Sequence, residues 1–449
     1  MKTPICDFIN EYASSNKVRL HMPGHKGKAS LGFEAFDITE ITGADSLYHA
    51  SGIIKKSESN AASLFGSGGT FYSTEGSSHV IRAMLYLARL YSGDKDGYVL
   101  AGRNAHSSFI SACALCGLDI EWIFPRDGDS YLSCVITPEI LENALTRVQK
   151  APACVYVTSP DYLGNMCDIA ALSRVCKKHG TILVVDNAHG AYLKFLENDR
   201  HPISLGATMC ADSAHKTLPV LTGGAYLHIA KDAPDLFVAS AKDALALFGS
   251  TSPSYLTLAS LDKANEYISC GFSERLKIFI QEMNALISDF DFCLPCGCGR
   301  EPLKIVLQPT KIGYRGEDFA SILEKKNIVC EFYDNDYLVL MPSLENGISD
   351  IKRLRSVLLE IDKRNEIREA NISLMPPIKR MSVRNAMLAP CERISAEQAL
   401  GRVLARSCVS CPPAVSVIVS GEEFNESTIE ICKRYGFDSF WVVSKESQS

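Results

Sequence analysis

The chain has no excess of basic charge. Its 46 Lys and Arg residues stand against 52 Asp and Glu, for a formal net charge of −6 over 449 residues, and no basic patch interrupts that balance. A nucleic acid partner draws its affinity from neutralised phosphates, so none is expected. Long apolar runs are also missing. No stretch approaches the length needed to cross a bilayer, and Met1 to Arg19 alternates polar and apolar residues without the apolar segment of a signal peptide. The expectation is a cytoplasmic protein that makes no use of a membrane. Internal repeats and low-complexity tracts are absent, which excludes solenoids and linker-like chains. An even, framework-like cysteine set is absent too. The 17 cysteines are odd in number, and Cys113, Cys116, Cys154 and Cys210 sit singly in apolar runs, where a reduced thiol serves as a small hydrophobe. Cys293-x-x-Cys296-x-Cys298 and Cys408-x-x-Cys411 have ligand-like spacing. They offer three and two thiols with no histidine pair nearby, so free thiols are expected and no metal.

What is present is the composition of a folded soluble chain, with 46% hydrophobic and 22% charged residues and more length than one ordinary core accommodates. From about Gly97 to Ile229, short β-rich runs alternate with helical patterns, the signature of a parallel sheet covered by helices. The pattern predicts strands at Tyr98–Ala101, Ile120–Phe124, Ala153–Thr158, Ile182–Asp186, Thr208–Ala211 and Ala225–Ile229. Helical periodicity marks Ser77–Tyr91, Ile140–Val148 and Ile169–Lys178. Lys242 to Ser288 reads as mostly helical, broken at Ser250–Ser254. Strands at Lys304–Leu307, Val329–Phe332 and Tyr337–Leu340 then suggest a smaller α+β unit.

Within this frame Lys216 stands out. Ser213-Ala214-His215-Lys216-Thr217-Leu218-Pro219 sets one lysine in a small polar turn after an apolar run. A desolvated amine there suits a Schiff base to a carbonyl cofactor, with a serine and a histidine beside it for a phosphate. An isolated lysine is more commonly a solvated surface residue. Asp186 ends a buried strand-like run, where a carboxylate suits a protonated pyridine nitrogen or, alternatively, an N-cap. Gly76-Ser77-Ser78 opens a helix and suits a phosphate, or is an ordinary serine cap. His106, in Arg103-Asn104-Ala105-His106-Ser107-Ser108, suits a ring-stacking role or that of a loop histidine. Together these residues point to pyridoxal phosphate.

The ordered motifs His21-Met22-Pro23-Gly24-His25-Lys26, Gly76-Ser77-Ser78, Arg103-Asn104-Ala105-His106, Thr158-Ser159-Pro160, Asp186-Asn187-Ala188-His189-Gly190, Ser213 to Pro219 and Ser250-Thr251-Ser252-Pro253-Ser254-Tyr255 resemble the Orn/Lys/Arg decarboxylase family, particularly its short bacterial members. The resemblance implies an aspartate-aminotransferase-like α/β fold, with a large pyridoxal-phosphate-binding domain on a mostly parallel sheet and a smaller α+β C-terminal domain. It divides the chain into a segment 1–70 that contributes to the active site and dimer, a large domain 71–300, a small domain 301–375 and a family-specific segment 376–449. Decarboxylation of arginine, lysine or ornithine is implied, with a place in polyamine biosynthesis. Another Cα reaction, such as transamination or elimination, and a degenerate non-catalytic homologue are the alternatives. For the site the resemblance implies Lys216 as imine lysine, His106 stacked on the ring and Asp186 on its nitrogen. His189 joins the cofactor site, with phosphate contacts from Gly76, Ser77, Ser78, Ser213 and His215. Ser252 is implied as a contact from the neighbouring chain of a homodimer or larger assembly whose active site lies at the interface.

Several positions depart from the family pattern. Glu75 stands where Asn is usual, and an acid beside a phosphate is repulsive unless it turns away. Asn187 replaces a glutamate, and Cys411-Pro412-Pro413-Ala414-Val415-Ser416 and Ser420-Gly421-Glu422 are eroded motifs. A basic substrate calls for an acidic pocket, for which Glu422, Asp161 and Asp45 are the candidates.

Overall fold

Buried apolar runs form the strands of this chain and amphipathic segments its helices. A computed structural model describes every residue except 29–30, 94–96, 127–128, 298, 369–371, 373, 408–411 and 446–449. The strands of the core are β1 (Gly69–Ser73), β2 (Tyr98–Gly102), β3 (Asp119–Ile123), β4 (Cys154–Thr158), β5 (Leu183–Asp186), β6 (Met209–Asp212) and β7 (Ala225–Ile229). Helices α1 (Pro4–Ser14) and α2 (Ile53–Phe65) precede β1, and α3 (Gly76–Ser92), α4 (Ser107–Cys116), α5 (Pro138–Arg147), α6 (Ile169–Lys178) and the single turn α7 (Ala214–Thr217) fall between successive strands. The expected helical stretch is three helices, α8 (Asp235–Ala246), α9 (Tyr255–Ser269) and α10 (Phe272–Ser288). Two compact units emerge, residues 1–93 with 169–277 and residues 94–168 with 278–449, each taking in part of the 71–300 stretch.

In the first unit β5 and β6 run parallel, with Asp186 opposite Ala211. β7 lies antiparallel on β6, and β1 antiparallel on β7. Strands β5, β6 and β7 are buried along their whole length, which explains why their sequences are continuous apolar runs rather than alternating ones. Helix α3 turns His79, Val80, Ala83, Met84, Leu87 and Ala88 inward and stops at Gly93, whose φ of 64° few other residues accept. Strand β1 was not anticipated. Gly68 and Gly69 open it as a turn would, and only Phe71 and Tyr72 supply apolar bulk.

An acid on α9 ties the N-terminus into this unit. Asp262 Oδ2 accepts from the backbone N–H groups of Ile5 (2.9 Å) and Cys6 (3.1 Å), and Oδ1 accepts from Ser57 Oγ (2.5 Å). It thus satisfies first-turn donors of α1 that the helix itself cannot. Asp262→Ala strands these donors, and the expected cost is about 3 kcal/mol in urea unfolding. A loss below about 1 kcal/mol would show that this cap is dispensable.

In the second unit β2 pairs in parallel with both β3 and β4. Its later part contains β8 (Ile305–Leu307), β9 (Phe332–Tyr333) and β10 (Leu338–Leu340), antiparallel in the order β8-β10-β9, with α11 (Gly316–Lys325) and α12 (Gly347–Leu359). The expected strand at Val329–Phe332 keeps only its last residue in β9, because Val329 faces solvent. The C-terminal segment buries Leu404, Phe424, Phe440 and Val442 in a cluster of their own. The architecture is α/β with mostly parallel core strands, as the alternating pattern predicts. Among the described residues no helix is long and apolar enough to cross a membrane. Cys293 and Cys296 carry free thiols, whereas Cys298, Cys408 and Cys411 lie outside the described residues.

Candidate active site

Two parallel strands of the first unit deliver the central groups to one edge. β5 ends in Asp186 and β6 in Asp212, and the loops that follow carry His189 and Lys216 respectively. Lys216 Nζ lies 2.9 Å from His189 Nε2. The backbone sets this up, since Lys216 N–H donates to Ser213 C=O (3.0 Å) in the single turn α7. Asp186 is buried and accepts from the Ala188 N–H at 3.1 Å through Oδ1, as an Asx turn does.

The phosphate candidates converge in the same unit. Ser213 Oγ donates to Ser77 Oγ at 2.8 Å, leaving the Ser77 hydroxyl hydrogen to point elsewhere. Gly76 N–H donates to Gly223 C=O (2.7 Å), which engages that donor within the protein; Ser77 and Ser78 follow it in the first turn of α3. The approach of these loops requires Gly223, at φ 94°, because a Cβ there would run into the Thr74 carbonyl. His215 is anchored twice to Gly224 C=O, by its backbone N–H (3.1 Å) and by Nδ1 (3.0 Å). Burial, and after it the Lys216 charge, pushes the His215 imidazole below its ordinary range. A phosphate dianion at Nε2 opposes that shift by favouring the doubly protonated ring.

Glu75 does turn away. Its Oε1 accepts from the Ser250 N–H at 2.6 Å, so the acid fastens the entry to α3 onto the loop that bears Ser252 instead of opposing a phosphate. Ser252 is exposed on that loop, its N–H donating to Ser250 Oγ (3.1 Å). Sequence reasoning flagged Glu75 as odd but did not foresee its partner, which lies 175 residues further on.

In the second unit His106 caps α4, its Nδ1 accepting from the Ser108 N–H at 3.1 Å. The C-terminal segment pins the same loop, since Ser107 N–H donates to Ala414 C=O (2.8 Å) and His106 bridges to Val415. The three carboxylates expected to greet a cationic side chain are already engaged. Asp45 accepts from the N–H groups of Ser46, Ser51, Gly52 and Ile54 at the start of α2. Burial would raise its carboxyl, but these bonds outweigh it and hold it below the usual range. Asp161 is enclosed by Ser133 Oγ (2.6 Å) and Asn165, and Glu422 is paired with Arg103 at 2.8 Å. Asp161 and Glu422 are buried and Asp45 is half-buried, and each of the three already has partners within the protein.

The family model for the Orn/Lys/Arg decarboxylase major domain matches residues 3–285. The chain belongs to the Orn/Lys/Arg decarboxylase family. Among relatives of this decarboxylase-family chain, the arginine decarboxylase of Bacillus subtilis is 28% identical over 95% of the chain and 92% of its own length. The uncharacterized protein YaaO of the same organism is likewise 28% identical, over 97% of the chain and 94% of its own length. Among solved structures, the Francisella novicida lysine decarboxylase LdcF superposes with a TM-score of 0.76 at 17% identity, covering 98% of the chain and 81% of its own length. That likeness concerns the fold. Within the family, the departures at Glu75 and Asn187 are absorbed by partners in the first unit, Ser250 and Asp212 respectively.

Proposed function

We propose that the chain is a pyridoxal-phosphate-dependent decarboxylase of arginine, lysine or ornithine, releasing carbon dioxide and the corresponding amine. The observation that carries this reading is the contact of Lys216 Nζ with His189 Nε2 at the edge where Asp186 ends β5. The residues fit the cofactor. A buried carboxylate suits a protonated ring nitrogen, an amine suits a carbonyl, and the Ser77–Ser213 hydroxyl pair at the start of α3 suits a phosphate. Ser78 and His215 extend that cradle, and His106, at the entry to α4, is assigned to the ring face.

When bound, pyridoxal phosphate supplies the carbonyl that captures the substrate amine and the electron sink for the pair left as the Cα–carboxylate bond breaks. Asp186 holds the ring nitrogen's proton. His189 Nε2 is placed to take a proton from Lys216 Nζ as that amine becomes a nucleophile. With substrate and cofactor bound, Lys216 would be the group at hand to deliver a proton to Cα.

Incubating the purified protein with arginine, lysine and ornithine in turn is expected to yield carbon dioxide and amine from one of them. Absence of product from all three overturns the proposal. We assign the protein to the cytoplasm and to a homodimer or larger homo-oligomer, with Ser252 offered to the neighbouring subunit. Support for assembly comes from Val18, Leu20 and Leu31, which leave large apolar side chains exposed in the irregular N-terminal segment. Light scattering is expected to return at least twice the 49.1 kDa chain mass, and a monomer would remove this assignment.

A further inference from the structure

Behind the Lys216 turn lies a buried charge that the chemistry above does not use. Asp212, the last residue of β6, is 0% exposed. Its Oδ2 accepts from His201 Nε2 (2.9 Å) and faces His228 Nε2 (3.3 Å), while Oδ1 accepts from Asn187 Nδ2 at 2.7 Å. Cys210 Sγ stands 3.8 Å from Oδ1. His201, Cys210 and Asp212 lie close enough together to suggest a metal site. However, the Ile203 N–H points at His201 Nδ1 (3.4 Å), which leaves the ring proton on Nε2 as a donor to Asp212. The group is a carboxylate clasped by two imidazoles and an amide. Burial alone would raise the Asp212 carboxyl, but His201 and then His228 outweigh it and hold the group below its usual range.

The position of this anion matters. Asn187 directly follows Asp186 and Asp212 directly precedes Ser213, so their bond joins the turn carrying Asp186 and His189 to the turn carrying Ser213 and Lys216. A backbone bond from Asn187 N–H to Ala211 C=O (2.9 Å) reinforces the link. Glycine at position 190 makes room for this arrangement, since a Cβ there would collide with Asn187 Oδ1. The family usually places a glutamate at this position. In this chain an acid there would confront Asp212, and the amide supplies the donor that Asp212 needs.

We infer that Asp212 is a positioning residue for the cofactor site: anchored by His201 and His228, it holds Asn187 and so sets Asp186 and Lys216 in register. The inference rests on the pyridoxal phosphate reading above. The test is titration of the cofactor-free protein with pyridoxal phosphate, followed by visible absorbance, alongside its melting temperature. Asn187→Ala cuts the link but leaves Asp212 with both imidazoles, and Asn187→Glu sets two acids against each other. Each is expected to weaken cofactor binding by about 10- to 100-fold, the range for losing a charged hydrogen bond. Combining Asn187→Glu with Asp212→Gln restores donor and acceptor in exchanged places, and binding is expected to return to within about threefold of wild type. A purely structural role lowers the melting temperature without moving the dissociation constant. Unchanged affinity in Asn187→Ala overturns the inference, as does a double variant that binds no tighter than Asn187→Glu. If Asn187→Glu fails to fold, Asn187→Ala decides alone. Failure of the wild-type protein to take up the cofactor overturns the functional reading and this inference together.

Discussion

Lys216→Ala is expected to reduce amine and carbon dioxide formation by at least about 10⁴-fold, the upper limit of what removal of one ordinary acid–base group costs. The size of the effect follows from the two tasks assigned to one nitrogen, capture of the cofactor carbonyl and return of a proton to Cα. His189 stands at 2.9 Å from that nitrogen, but its imidazole cannot replace a primary amine in the first task. The fold is expected to survive. Lys216 is half-buried, and the turn α7 is held by backbone bonds from Lys216 to Ser213 and from Leu218 to Ala214 that alanine keeps. The cofactor is expected to remain bound without its covalent link, through Asp186, Ser77 and Ser213. Activity above about one tenth of wild type in the folded variant would remove Lys216 from its role, because a positioned catalytic group contributes at least about 10²-fold.

The buried core strands were legible because burial on both faces leaves an unmistakable apolar run; β4, β5, β6 and β7 fall within one residue of their expected bounds. Lys216 and Asp186 were legible for a related reason, as polar residues placed where such runs stop. Contacts made across long sequence separations were not. The bonds of Glu75 to Ser250, Asp262 to Ile5 and Arg103 to Glu422 depend on tertiary placement, and nothing in the local pattern of either partner announces the other. Asp212 stayed hidden for a subtler reason. Next to a candidate catalytic turn it reads as one more strand-end acid, and its significance emerges only with His201, His228 and Asn187 around it. The engagement of Asp45, Asp161 and Glu422 was equally hidden, because sequence shows that a residue is acidic and not whether its charge already has a partner.

Glu422→Gln tests that last point, and its expected result is a loss of stability with the KM of the basic substrate unchanged to within about twofold, as for a site that is not in contact with substrate. Glu422 Oε2 accepts from Arg103 at 2.8 Å and from the Val419 N–H at 2.7 Å. Arg103 in turn donates to Val417 C=O (2.9 Å) and packs its guanidinium over Trp122, 4.9 Å from the ring centroid. Both side chains are almost completely buried. Burial pushes the Glu422 carboxyl up and the Arg103 guanidinium down, each opposed by the other's charge, so the pair is held against a desolvation cost. Removing one charge leaves the other buried without its counter-ion, and the expected cost is about 3–5 kcal/mol in urea unfolding. Replacing both residues by methionine removes the unpaired cation as well as the pair, and is expected to recover at least about 2 kcal/mol of that loss. A raised KM at unchanged stability would return Glu422 to the substrate pocket. The combined outcome expected here instead makes the eroded C-terminal motif a brace for the strand end that leads into His106.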